Sequence, residues 1–196
     1  QVNYISEPFF IVVIIIIFST MTWAQEEKKT ELYFNTGLSF PAQYREFSKN
    51  FSLGYNFGSG LGYEFSQGLT LSLNFDYNKF FYQEDTPTED NSIHIFSISG
   101  NLKVALITQS TSPSFYRFNY YLISGIGFSR FATSTKSTQL VGFETQSTFA
   151  ILFGAGFDAT VTETSSLFLE SKFGMNIAKG KNVNYIPLKI GVKWKL

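Results

Sequence analysis

The chain has 196 residues, no cysteine, and 15 Lys+Arg against 15 Asp+Glu. The length bounds it to one domain, the lack of cysteine excludes disulfides and thiolate metal centres, and the neutral balance offers no basic surface for nucleic acid. Charged residues make up 15% and aromatic residues 18%, against about 25% charged in an average soluble domain, so the surface is short of the charge that water favours.

Residues 9–18, FFIVVIIIIF, form an unbroken apolar run. A bilayer-spanning helix needs about 18 or more such residues, whereas this length suits the h-region of a secretory signal peptide. Thr22 and Ala24 occupy the small-residue positions of a cleavage site, which predicts a cut between Ala24 and Gln25. The preceding QVNYISEP has no initiator Met, Lys or Arg. The expected organisation is a signal peptide over residues 1–24, truncated at its N-terminus, and a β-barrel domain over residues 25–196. The alternative makes the apolar run a buried strand or helix of the mature fold.

Beyond Ala24 the apolar residues recur with period two, the mark of strands with two unlike faces. A first strand over 31–40 carries Leu32, Phe34, Leu38 and Phe40 on one face. A second over 51–65 reads FSLGYNFGSGLGYEF, with a large residue at every odd position except Ser59. A third over 69–81 sets Leu71, Leu73, Phe75 and Tyr77 against Ser72, Asn74, Asp76 and Asn78. Five more follow over about 93–106, 115–131, 147–161, 167–178 and 186–196, and no segment has a helical apolar period.

The connections alternate in length. Ser66-Gln67-Gly68 and residues 162–166 are short, and 107–114 is intermediate. Residues 41–50, 83–92, 132–145 and 179–185 are more polar and mostly longer. Transmembrane barrels keep their short turns on the periplasmic side. The expected fold is therefore all-β: an eight-stranded antiparallel up-and-down transmembrane β-barrel.

Alternation alone does not say which face is inside. Three observations put the bulky face outside. Most of the strands exceed the roughly 5–6 residues usual in globular sheets and match the roughly 9–11 that cross a bilayer. An eight-stranded lumen is only wide enough for side chains to fill it, and the Phe and Tyr faces would overfill it. The other face is mostly Gly, Ser, Thr and Asn, with too few charges for a water-facing sheet.

Those few charges then become a lumen network. Glu64, Lys103, Asp158 and Lys193 fall near the periplasmic ends of descending strands, and Arg117, Glu170 and Lys172 near the starts of ascending ones. Three acids and four bases would share one end of the lumen, with Glu64 a partner for Arg117 or Lys172. Asp76 and Lys189 would lie nearer the middle. Buried charges need such partners. The alternative is a set of ordinary polar residues on a solvated face. Two aromatic girdles are expected at the interfaces. Tyr63, Phe65, Tyr116, Phe157 and Trp194 would form one, and Phe40, Phe51, Phe81, Tyr82, Phe128, Phe149 and Tyr185 the other.

YYLISGIGFSRF (120–131) resembles the aromatic-Gly-x-Gly strand of small bacterial outer-membrane β-barrel families, and FGAGFDATVTETSSLFLESKFG (153–174) resembles their following hairpin. The final PLKIGVKWKL resembles the C-terminal signal read by the barrel-assembly machinery, with Leu196 where Phe or Trp is usual. The resemblance spans nearly the whole mature chain and is to the OmpA/OmpX-type architecture, without choosing a member. It implies a bacterial outer-membrane location, with membrane lipid and, during biogenesis, the barrel-assembly machinery as partners.

Some outer-membrane barrels are enzymes, and lipid A deacylases use a His and a Ser two apart on one strand face. The single histidine here, His94, stands three residues before Ser97, so the two face opposite sides of a strand. Glu84, Asp85, Glu89 and Asp90 form an acidic loop that could hold a divalent cation weakly or simply stay solvated. The expectation is a non-enzymatic barrel with no catalytic, cofactor or metal site and no nucleic-acid partner. Its role would be envelope structure or surface interaction through the longer loops, with the extracellular partner unidentified. The alternatives are a narrow pore or hydrophobic-molecule transporter, and a soluble lipocalin-like carrier.

Overall fold

The computed structural model of the chain describes residues 30–42, 47–66, 68–82, 92–106, 118–134, 146–177 and 183–196. The apolar run at 9–18, its cleavage site, Tyr116, Arg117 and the acidic loop lie outside the described residues.

Eight strands follow in order: β1 (Thr30–Ala42), β2 (Gly54–Ser66), β3 (Leu69–Phe81), β4 (Ser92–Leu106), β5 (Phe118–Ser134), β6 (Gln146–Thr160), β7 (Ser165–Ile177) and β8 (Val183–Lys195). One helical turn, α1 (Phe47–Asn50), interrupts the link from β1 to β2. Each strand pairs with the next, and β1 closes on β8 from Glu31↔Lys195 to Ala42↔Asn184, giving a closed eight-stranded antiparallel barrel. Closure satisfies every strand edge, which hydrocarbon requires. The strands are 13 to 17 residues long, enough to cross a bilayer at a tilt.

Local chemistry sets the turns. Gly68 takes φ 77° between β2 and β3, a conformation that costs a residue bearing Cβ about 1–2 kcal/mol. The β6–β7 turn is tied by the Thr162 hydroxyl oxygen, which accepts from the Ser165 N–H at 3.0 Å. Both turns, and the ends at Thr30 and Leu196, where the Leu196 N–H donates to Thr30 O at 2.9 Å, lie at the same end of the barrel.

The bulky face points outward. Phe34, Phe57, Leu71, Phe75, Phe96, Ile126, Phe128 and Phe153 are exposed, while Asn56, Ser72, Asn74, Asn78, Ser99 and Asn101 are buried. Such an exposed apolar wall cannot face water, which removes the soluble-carrier reading.

Three aromatic positions depart from the expected outer girdle: Phe51 and Tyr185 are buried, and Tyr82 is partly buried against the cluster they help form. Phe51 is 1% exposed and Tyr185 4%. Both join Phe47, Phe80, Ile93, Ile95, Phe131 and Val183 in a buried apolar cluster at the long-connection end. The reason is local. β2 starts only at Gly54, and Phe51 follows α1, so its ring turns in against Phe47 at 5.0 Å between centroids. β8 starts at Val183, three residues earlier than the alternation suggests, and parity from Ile186 carries Tyr185 inside.

Candidate functional site

The lumen is a stack of layers, taken here from the short-turn end. The strand parity that sends Leu32 and Phe34 outward sends Glu31 and Tyr33 inward. Lys193 of β8 reaches Asp158 of β6 at 2.6 Å and Glu31 of β1 at 3.3 Å. Further in, Glu170 of β7 receives Lys172 at 2.9 Å and Lys103 of β4 at 3.2 Å. The Tyr121 hydroxyl donates to the same carboxylate at 3.3 Å. Lys103 also lies over the Tyr33 ring at 4.7 Å and the Tyr121 ring at 5.1 Å, a cation–π contact that desolvation strengthens. Asn74 links this layer to Tyr33. Its amide nitrogen donates to the Tyr33 hydroxyl at 2.6 Å, and its oxygen accepts from Lys172 at 2.8 Å. Beyond it, Lys189 pairs with Asp76 at 2.5 Å. Ser97 and Ser129 bond each other at 2.9 Å, with the Tyr185 hydroxyl 3.4 Å from Ser97. The apolar cluster then covers the mouth.

Among the described residues these ion pairs draw in four carboxylates and four lysines, so the ladder is electrically balanced. Balance matters because an unpaired charge here would carry its whole desolvation cost.

The predicted site residues are thus distributed as follows. Lys103, Glu170 and Lys172 share one layer, Asp158 and Lys193 a second, and Asp76 and Lys189 a third. The charges expected together at one end are spread over two of these layers. Glu64 does not pair with Lys172. Its carboxylate accepts the Gly68 N–H at 3.0 Å and braces the first turn, because a bulge between Glu64 and Ser66 shifts the register there.

Sequence reasoning missed Glu31, Tyr33, Tyr121 and Phe168, all buried and inward. Strand parity was the available signal for each. These rings also explain the inward glycines. A Cβ on Gly60 would stand 2.4 Å from the Tyr33 ring, on Gly156 2.7 Å from Tyr121, and on Gly191 2.4 Å from Phe168. The glycines are small because an aromatic side chain crosses the lumen in front of each.

The packed layers leave a lumenal cavity of about 10 Å³ beside Asp76, Ser97, Lys172, Tyr185 and Lys189, room for about one water molecule. His94 and Ser97 lie on opposite faces of β4. His94 Nδ1 is 2.6 Å from the Tyr77 hydroxyl on the outer wall, and Ser97 meets Ser129 within. Among the described residues no three His, Asp or Glu side chains gather in a way that could hold a metal ion.

Comparison with known proteins agrees with this architecture. No curated protein matches the chain by sequence. Among solved structures the fold is similar to that of Neisserial surface protein A (NspA), with a TM-score of 0.58, 15% identity, and coverage of 87% of this chain and 98% of that one. It is also similar to the N-terminal β-barrel domain of Pseudomonas aeruginosa OprF, with a TM-score of 0.50, 16% identity, and coverage of 85% and 98%. The family model described as outer membrane protein beta-barrel domain matches residues 10–195. The chain therefore belongs to the outer membrane protein beta-barrel domain family and is a protein of the bacterial outer membrane.

Proposed function

We propose that the protein is a non-enzymatic, non-conducting barrel that serves the envelope as a structural element and presents its longer connections at the cell surface. The observation that carries this reading is the filled lumen. A balanced ion ladder occupies the periplasmic half, an apolar cluster covers the outer mouth, and a cavity of about 10 Å³ lies between. A hydrated ion needs a continuous path far larger than one water. The opposed faces of His94 and Ser97 support the absence of a nucleophilic site. The alternating apolar face of β8, with Trp194 near its short-turn end, supports insertion by the barrel-assembly machinery. Single-channel recording of the refolded chain in planar bilayers tests the reading. The expected record shows no stable open level, and a sustained, sizeable conductance would overturn the closed assignment in favour of a pore.

A further inference from the structure

Ser59 is the one break in the outward apolar series of β2. In register it lies between Phe34 of β1 and Phe75 of β3. The row continues through Ile98 to Phe128 of β5. The next row outward runs through Phe57, Tyr77 and Phe96 to Arg130. Tyr77 joins this second row into a continuous aromatic wall, its ring centroid 4.7 Å from Phe57 and 4.9 Å from Phe96. Between the two rows lies a groove of about 760 Å³ on the outer wall of the barrel. Ser59 widens it where a large side chain would close it.

The groove climbs. Phe34 is the fifth residue of β1 from the short-turn end, and Arg130 the fifth of β5 from the long-connection end. It therefore runs from the inner half of the membrane to the outer interface. Arg130 is exposed and has the parity of Ile126 and Phe128, so it faces lipid. A charged side chain on this face costs about 2–4 kcal/mol at mid-membrane and about 0–1 near the interface, so its place is at headgroup level. One row farther out, Lys79 stands opposite His94 on the same wall.

We propose that this groove binds one phosphate-bearing lipid of the outer leaflet, with an acyl chain along the aromatic wall past Ser59 and its phosphate on Arg130. The occupant follows from complementarity. The groove is apolar along its length and cationic only at its outer end, which is the amphiphile's own polarity. A planar guanidinium takes phosphate oxygens two at a time, and the ammonium of Lys79 stands one row farther out on the same wall. The site is on the outer wall, so it stands whether or not the lumen conducts.

Native mass spectrometry of the refolded full chain, released from micelles carrying lipid A, tests this. One lipid A should be retained per chain. Lipid A stripped of both phosphates, or Arg130→Gln, should lower retention roughly tenfold, the loss of one charge-assisted bidentate contact. Arg130→Lys should fall between. Ser59→Phe restores the strand's apolar alternation and so should fold, yet it should also lower retention of lipid A. Equal retention by wild type and Arg130→Gln, or by phosphorylated and stripped lipid, would overturn the site. Displacement of lipid A by millimolar inorganic phosphate would make it a soluble-anion site instead. A lipid-free dimer abolished by Ser59→Phe would make the groove an interface between two copies.

Discussion

Glu170 carries more of the lumen than any other single side chain described. It holds Lys103 and Lys172 and accepts from Tyr121, all away from water. Glu170→Gln keeps the shape and removes the charge, which leaves two buried ammonium groups against a neutral amide. Removing one partner from a buried pair costs about 3–5 kcal/mol, and urea titration of the folded, bilayer-inserted chain should read a loss of that size. Glu64→Ala, at the half-exposed turn, removes the acceptor of the Gly68 N–H and should cost about 1 kcal/mol in the same assay. Equal losses would mean that the lumen is far wetter than its packing implies. Gly60 tests the ring-against-glycine packing. Gly60→Val drives side-chain atoms into the Tyr33 ring and should cost about 1–3 kcal/mol by overpacking. Combined with Tyr33→Ala it should cost less than the two single changes summed, with a coupling of about 0.5–3 kcal/mol.

Each strand is an element with two solvents. Its outward residues meet hydrocarbon and its inward ones meet a lumen of fixed width, so the same substitution has opposite meanings on neighbouring positions. Phe75 and Ile151 face outward near the middle of β3 and β6. Phe75→Lys and Ile151→Lys should each cost about 2–4 kcal/mol, as charge does at the bilayer midplane. Ser72 lies inward and buried, so Ser72→Lys meets crowding and the lysines already present. Its defect should ease when Lys172 is also changed to Met, whereas the Phe75→Lys defect should not. Refolding yields into bilayers of increasing thickness separate the two faces, since the hydrocarbon penalty grows with thickness and lumen crowding does not. The pattern of inward and outward residues was legible because parity within a strand is fixed by backbone geometry. It failed at Phe51, where the alternation runs on through residues that the chain uses for α1 and its exit.

At the scale of the molecule, closure joins eight locally similar strands into one cooperative object whose lumen is filled by two kinds of layer. The outer one is apolar and rests on Phe47, Phe51, Phe80 and Phe131; the inner ones are ionic. They are independent layers. Phe51→Ala should cost about 3–5 kcal/mol as a large-to-small change in a packed cluster, read as a lower urea midpoint. The variant should remain closed in planar bilayers, because the Glu170 and Asp76 layers lie beneath it. A pore opened by that one substitution would show that the outer cluster alone keeps the barrel shut.

Period-two alternation, strand length and the small polar face together determined the fold class, the outward direction of the bulky residues and the membrane as solvent. All three follow from local geometry and from volume, which are properties a chain carries before it folds. The residue types of the ladder were also visible: Asp76, Lys103, Asp158, Glu170, Lys172, Lys189 and Lys193 stood on the small face. What the tertiary structure decided was who meets whom. The shear of the closed barrel displaces each strand along its neighbour, so Lys193 reaches Glu31 and Asp158 across the lumen, and Glu170 takes both Lys103 and Lys172. The bulge at Glu64 turns that carboxylate to its own turn. Only the folded barrel could set Tyr33, Tyr121 and Phe168 against Gly60, Gly156 and Gly191, because such contacts depend on which strands are neighbours and at what height. Parity is written along one strand, whereas register is written between two.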